Sequence, residues 1–180
     1  MFKSSLIALA LTLGASSAFA GMMVGGAEMF PAKNIIQNAV NSKDHTTLVA
    51  AVKAAGLVET LQGEGPFTVF APTNEAFAAL PAGTVDGLLK PEAKATLTKV
   101  LTCHVIAANA MSDAVMKMVD DDGGMHKVKT VGGCELILKY KDGKVMVEDE
   151  TGGIATVTIA DVAQSNGVIH VVDKVLLPKM

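Results

Sequence analysis

Apolar positions in this chain follow a helical period first and a strand period later. Residues 34–41 place Ile35, Ile36 and Val40 on one face of a short helix. Residues 46–55 carry the stronger stripe, with Leu48, Val49 and Val52 spaced i, i+1, i+4. Gly56 stands where a helix-ending residue belongs, and Ser42 or Asp44 is available as a cap. Residues 57–61 predict one more turn, and 62–66 read as a loop. A buried strand follows over 67–71. Pro72 stops it, and Thr73 is placed to cap a helix over 74–80. Pro81 to Gly83 breaks that helix, and 84–89 is another turn. Pro91 suits the first position of a helix reaching about residue 101, with Ala95, Leu97, Val100 and Leu101 inward.

The second half alternates. Residues 102–106 read as β, and 111–119 as a helix with Ser112 near its start. Strands are predicted over 127–131 and 134–140, around Gly132-Gly133. Asp142-Gly143 is a hairpin signal, because this pair suits a type I′ turn. Strands over 145–149, 155–160 and 168–176 complete the set. Helices first and strands later predict an α+β fold. There is no internal repeat. Residues 21–32 are rich in Gly and Met without periodicity, so 21–30 is expected to be a mobile N-terminal arm, with the domain running over 31–178.

Residues 1–20 stand outside this pattern. Lys3 supplies a positive start, 6–13 is a short apolar run, and Ala18-Phe19-Ala20 is a small-x-small cleavage site. These are the parts of a secretory signal peptide, and the run is too short to span a bilayer. The expected location is periplasmic or extracellular, with no membrane span. Composition narrows the partners. The chain has 180 residues, 15 basic and 18 acidic, for a formal net charge of −3. All the basic residues are Lys. Without Arg forks or a basic balance, nucleic acid is not an expected partner. Aromatics are only 4% and Trp is absent, so the core must be built from Val, Leu, Ile, Ala and Met.

The candidate chemistry is sparse. Cys103 and Cys134 are the two cysteines, and an even count in an exported protein predicts a disulfide; the alternative is two buried free thiols. Cys103-His104 fails as a nucleophile–base pair on a strand, where neighbours face opposite ways. His170 falls on the strand face opposite Ile169 and Val171, which suits a hydrogen-bonded structural side chain. Four His at unrelated spacings make no zinc motif. Asp120-Asp121-Asp122 and Glu148-Asp149-Glu150 lack the alternating ligands of an EF-hand and read as solvated charge, with weak Ca²⁺ binding as the other reading. Met22, Met23, Met29, Met116, Met118 and Met125 raise a Cu(I) reading, although Met also fills a Trp-free core. There is no G-x-S-x-G, P-loop or dinucleotide fingerprint. Neither an enzyme nor a cofactor is expected.

Two segments carry a family resemblance. They are Gly65-Pro66-Phe67-Thr68-Val69-Phe70-Ala71-Pro72-Thr73-Asn74-Glu75-Ala76-Phe77, and Ile159-Ala160-Asp161-Val162 followed by Ser165-Asn166-Gly167-Val168-Ile169-His170-Val171-Val172. In order and spacing they resemble the two signature blocks of the fasciclin (FAS1) domain. The resemblance implies a twisted β-wedge of two small sheets with helices packed on one side. Cys103-His104 stands where the family has a Tyr-His pair, matching at His104 and departing at Cys103. In animal members this region is tied to integrin adhesion; the departure and the want of an Asp-Ile segment argue against carrying that activity over. Thr73, His104, Asn166, Gly167 and His170 are expected to serve the fold: Thr73 as a cap, Asn166-Gly167 as a turn, and the two His as hydrogen-bonding side chains. The implied function is an exported, non-catalytic adhesion module. Its partner would be a matrix, cell-surface or envelope protein or polysaccharide, and self-association would add avidity. The alternative is a binding protein for a small apolar ligand or copper.

Overall fold

The computed structural model describes residues 20–179, so nearly all of the predicted signal segment lies outside the described residues. The chain opens with a hairpin, β1 (Met22–Val24) and β2 (Ala27–Met29). Helices α1 (Ile35–Ala39), α2 (Thr46–Ala55) and α3 (Val58–Gln62) lead to strand β3 (Phe67–Pro72). Helices α4 (Asn74–Ala78), α5 (Thr84–Leu88) and α6 (Lys94–Thr102) follow. Then come β4 (Val105–Ile106), α7 (Ser112–Asp121), β5 (His126–Lys129), β6 (Glu135–Lys141), β7 (Lys144–Glu148), β8 (Ile154–Gln164) and β9 (Gly167–Val172).

The expectation of a mobile arm over 21–30 is corrected here. Val24 and Met29 are each 1% exposed and belong to the core. Only three residues per strand alternate, which is too short a window for periodicity to show. The hairpin survives because it packs on α1.

Seven strands form one twisted sheet in the order β4-β3-β9-β8-β7-β6-β5. All pairs are antiparallel except β3 with β9, which run parallel from Phe67↔Gly167 to Pro72↔Val172. The two segments most distinctive in the sequence are thus side by side at the centre. The long strand β8 shifts register between Val157, Ile159 and Val162. Such irregularities bend a strand. Its start pairs with β7 and the rest with β9, so the two small sheets expected from the resemblance are halves of one surface.

Alternation along β3 and β9 feeds two cores. Val69, Ala71, Ile169 and Val171 face the core built with Leu48, Val52, Ala76, Leu97 and Leu101 from the helices. Phe70 and Val172 face a second core with Leu136, Leu138, Val145, Val147 and α7's Val115 and Val119. Helices α1 to α4 and α6 therefore cover one half of the sheet, and α7 the inner face of the other.

The sheet nearly closes. The Val131 N–H donates to the Val105 carbonyl at 2.7 Å, and Gly132 N–H to Thr102 at 3.1 Å, joining the chain after β5 to the β4 edge. A Cβ on Gly132 would lie 2.5 Å from Thr102 Oγ1 and 3.0 Å from the Cys103 nitrogen, so only glycine fits this seam. Cys103 and Cys134 stand at the same place, both buried and at disulfide distance, Cα–Cα 5.4 Å. The sequence placed both in strands. Instead Cys103 ends α6 with helical backbone, and Cys134 precedes β6.

Candidate interaction surface

The polar residues singled out in the sequence are consumed inside the fold. Thr73 Oγ1 accepts from the Ala76 N–H at 3.2 Å at the start of α4. The cap of α2 comes neither from Ser42 nor from Asp44. Asn74 supplies it from a distance, Oδ1 accepting from Thr47 N–H at 3.0 Å while Nδ2 donates to the Lys43 carbonyl. Ser42 Oγ is instead bonded to His45 Nδ1 at 2.8 Å.

Asn166 ties three elements together. Its Oδ1 accepts from the first N–H of α1, Ile35, at 3.1 Å. Its Nδ2 donates to the Leu61 and Gly63 carbonyls at the end of α3, both at 2.8 Å. Its own carbonyl accepts from Phe67 N–H at the start of β3. Beside it, a Cβ on Gly167 would lie 1.9 Å from the Phe67 oxygen, so the parallel β3–β9 pair leaves no room there.

His104 is 2% exposed and fully bonded. Nδ1 donates to Val100 O at 2.8 Å, and Nε2 accepts from the Leu176 N–H at 2.8 Å, pinning the C-terminal segment to α6. Burial lowers its pKa to about 4, against smaller raising effects of the Val100 carbonyl and Asp149. His170 holds the opposite tautomer. Nε2 donates to Ala110 O at 2.7 Å and Nδ1 accepts from the Asp161 N–H at 3.2 Å. Burial lowers its pKa too, against smaller raising effects of the Ala110 carbonyl and the Asp161 carboxylate.

Asp161 sits at a β8 irregularity with φ 60°, and its carboxylate bonds the Ser112 N–H at 2.6 Å and the Ser112 hydroxyl. Ser, Asp and His therefore meet, but not as a triad. The serine bonds the carboxylate rather than the imidazole, and both ring nitrogens are engaged with backbone. Among the described residues no group of three His, Cys, Asp or Glu could hold a metal ion.

What stays open is a sheet face. Leu136, Leu138, Val145, Val147, Ala155 and Val157 point inward under α7. The alternate positions therefore point out, and among the described residues, apart from neighbouring strands, only α7 packs closely on β5, β6 and β7. Lys127 and Lys129 project from β5; Glu135, Ile137, Lys139 and Lys141 from β6; Lys144, Met146 and Glu148 from β7. Two lysines are paired, Lys127 with Glu135 at 2.9 Å and Lys139 with Glu148. Lys129, Lys141 and Lys144 form no ion pair among the described residues. An acidic chain thus carries five lysines against two glutamates on this face around half-buried Met146, while Ile137 lies toward an acidic end with Glu135, Glu148 and Glu150. From the sequence, recognition is expected on exposed loops, and this sheet face is missed. Its signal was Lys at alternate positions of strands whose other positions are apolar.

A model of the Fasciclin domain matches residues 43–178. The chain belongs to the fasciclin family. It is 52% identical over 149 residues to protein sll1483 of Synechocystis, covering 83% of this chain and 76% of the relative. It is 35% identical over 145 residues to the cell surface glycolipoprotein MPB83 of Mycobacterium bovis, covering 78% and 58%. Among solved structures, a FAS1 domain pair from the insect cell adhesion molecule fasciclin I has a TM-score of 0.51 at 23% identity, covering 78% of this chain and 43% of that one. That likeness establishes the fold.

The fasciclin domain also has an apolar cleft among Ile35, Leu48, Val52, Leu61, Val69 and Leu101, with about 30 Å³ of unfilled space. Sites for small molecules measure roughly 300–1,000 Å³. Met29 lies in the core, and Met116 and Met118 are half-buried on α7. No helix among the described residues is long and apolar enough to cross a membrane.

Proposed function

We propose that this fasciclin domain is an exported, non-catalytic adhesion module that binds an extracellular or envelope component through its surface. The leader pattern of residues 1–20 supports export. The relative named as a cell surface glycolipoprotein, and the fold neighbour named as a cell adhesion molecule, support the setting. The observation that carries the reading is the division of labour in the fold. Thr73, His104, Asn166 and His170 spend their polar atoms on the chain itself, and the open face of β5, β6 and β7 spends few. That face is rigid, basic and partly apolar. It suits an anionic polysaccharide or an acidic protein surface, which lysines recognise as point charges.

The test is adhesion of beads carrying the domain, from Gly21 onward, to envelope or matrix preparations. One small domain offers limited contact area, so single contacts are weak and many copies add avidity. Capture should rise steeply with surface density and fall with salt. Capture that is linear in density and blind to salt contradicts the reading. A cleft of about 30 Å³ gives a small apolar ligand little room.

A further inference from the structure

We infer that Glu28 is a receptor for the α-ammonium group of a terminus created at Gly21. The inference rests on the export part of the proposed function and not on adhesion. The sequence places a cleavage site after Ala20, and the fold begins one residue beyond Gly21, at β1. There the Gly21 nitrogen donates to Glu28 Oε1 at 3.0 Å, across the hairpin that pairs Met22 with Met29. Glu28 forms no other hydrogen bond or ion pair among the described residues.

The position is built for glycine. A Cβ at residue 21 would lie 2.5 Å from the Met29 carbonyl oxygen and 2.6 Å from Glu28 Cγ. Any side chain there displaces the carboxylate from the nitrogen it holds. In the uncleaved chain the donor is a neutral amide with one hydrogen. Hydrolysis of the Ala20–Gly21 peptide bond by water leaves a carboxylate on Ala20 and an ammonium on Gly21. The same geometry then becomes a charge-assisted bond, roughly twice as strong as a neutral one. The new end is fastened next to β1, whose Val24 is buried in the core. Processing thereby strengthens a contact that closes the end of the hairpin.

Two measurements test this. The first is the intact mass and N-terminal sequence of the protein recovered from the producing organism; the expected terminus is Gly21. Any other native terminus overturns the processing assignment, whatever the pairing does. The second uses protein released in vitro with a free Gly21 terminus, compared with the same protein acetylated at that terminus and with Glu28→Gln. Amide hydrogen exchange at Val24 and Met29 is the readout. Acetylation and Glu28→Gln should each speed exchange by about two- to five-fold, the range expected of an exposed ion pair. Acetylation should add nothing in the Glu28→Gln background. Equal exchange with and without acetylation, or effects that add, overturns the pairing even where the native terminus is Gly21. Bead adhesion reports on the function separately.

Discussion

Asn166→Ala is the substitution that should damage this fold most for the fewest atoms removed. The side chain makes three hydrogen bonds, to Ile35 N–H and to the Leu61 and Gly63 carbonyls, and the residue is 8% exposed. Truncation leaves all three backbone groups without that partner. An unsatisfied buried group costs about 1–3 kcal/mol, and groups near the surface recover part of it from water. Taking the lower half of that range for three groups gives roughly 3–6 kcal/mol, a large share of the 5–15 kcal/mol typical of a domain. Asn166→Asp should do no better. It keeps the acceptor for Ile35 but turns a carboxylate oxygen toward two carbonyls. The assay is urea denaturation followed by circular dichroism, with Asn166→Ala compared at unchanged slope. A loss below about 1 kcal/mol would refute the claim that Asn166 fastens α1, α3 and β3 together.

Three further outcomes follow from the geometry. His104 has a folded pKa of about 4, below the unfolded value near 6.5, so its contribution is complete above pH 6.5 and is lost as pH falls toward 4; from this group alone stability should drop by about 3 kcal/mol across that window, with His170 acting in the same direction, and a flat pH profile of denaturation midpoints contradicts it. A disulfide between Cys103 and Cys134 closes a loop with a sequence separation of 31, so reduction should cost roughly 3–4 kcal/mol and loosen the β4–β5 seam, and two alkylatable thiols in protein exported under oxidising conditions would oppose the pairing. Thr73→Ala should cost about 0.5–2 kcal/mol while Thr73→Ser is mild, and a midpoint unchanged in Thr73→Ala means that the hydroxyl does not serve as a cap.

Much of the fold was legible because local rules and packing agree. The stripe of Leu48 and Val52 marked α2 at the bounds observed, and the alternation of residues 67–71 and 168–172 marked the strands that prove to be parallel neighbours. Reading failed where the partner is distant. The cap of α2 comes from Asn74, more than two dozen residues on, and nothing near Ser42 or Asp44 announces it. Asn166 read as a turn residue, since its bonds to Ile35 and Leu61 span over a hundred residues of chain. Residues 102–106 read as one strand, yet α6 runs through Thr102 and the sheet begins only at Val105. The hairpin at residues 22–29 was missed because its order comes from burial of Val24 and Met29 against α1.

The open sheet face was missed for a related reason. Lysines on three separate strands look like scattered solvent charge until register lays Lys127 beside Ile137 and Lys141 beside Lys144. Once laid out they gather on one face, where Lys129, Lys141 and Lys144 form no ion pair among the described residues, on a scaffold whose other conspicuous polar groups are bonded inward. This is the reason recognition is assigned to that face rather than to either buried histidine.

The most direct test of that assignment is the binding of a triple variant, Lys129→Glu with Lys141→Glu and Lys144→Glu, to immobilised envelope or matrix material. None of the three lysines forms an ion pair among the described residues, so the denaturation midpoint should stay close to that of the unsubstituted domain. The account predicts that density-dependent capture collapses in the variant and that the salt dependence seen with the unsubstituted domain disappears. A folded variant that is captured as well as the unsubstituted domain, at every salt concentration, would contradict it.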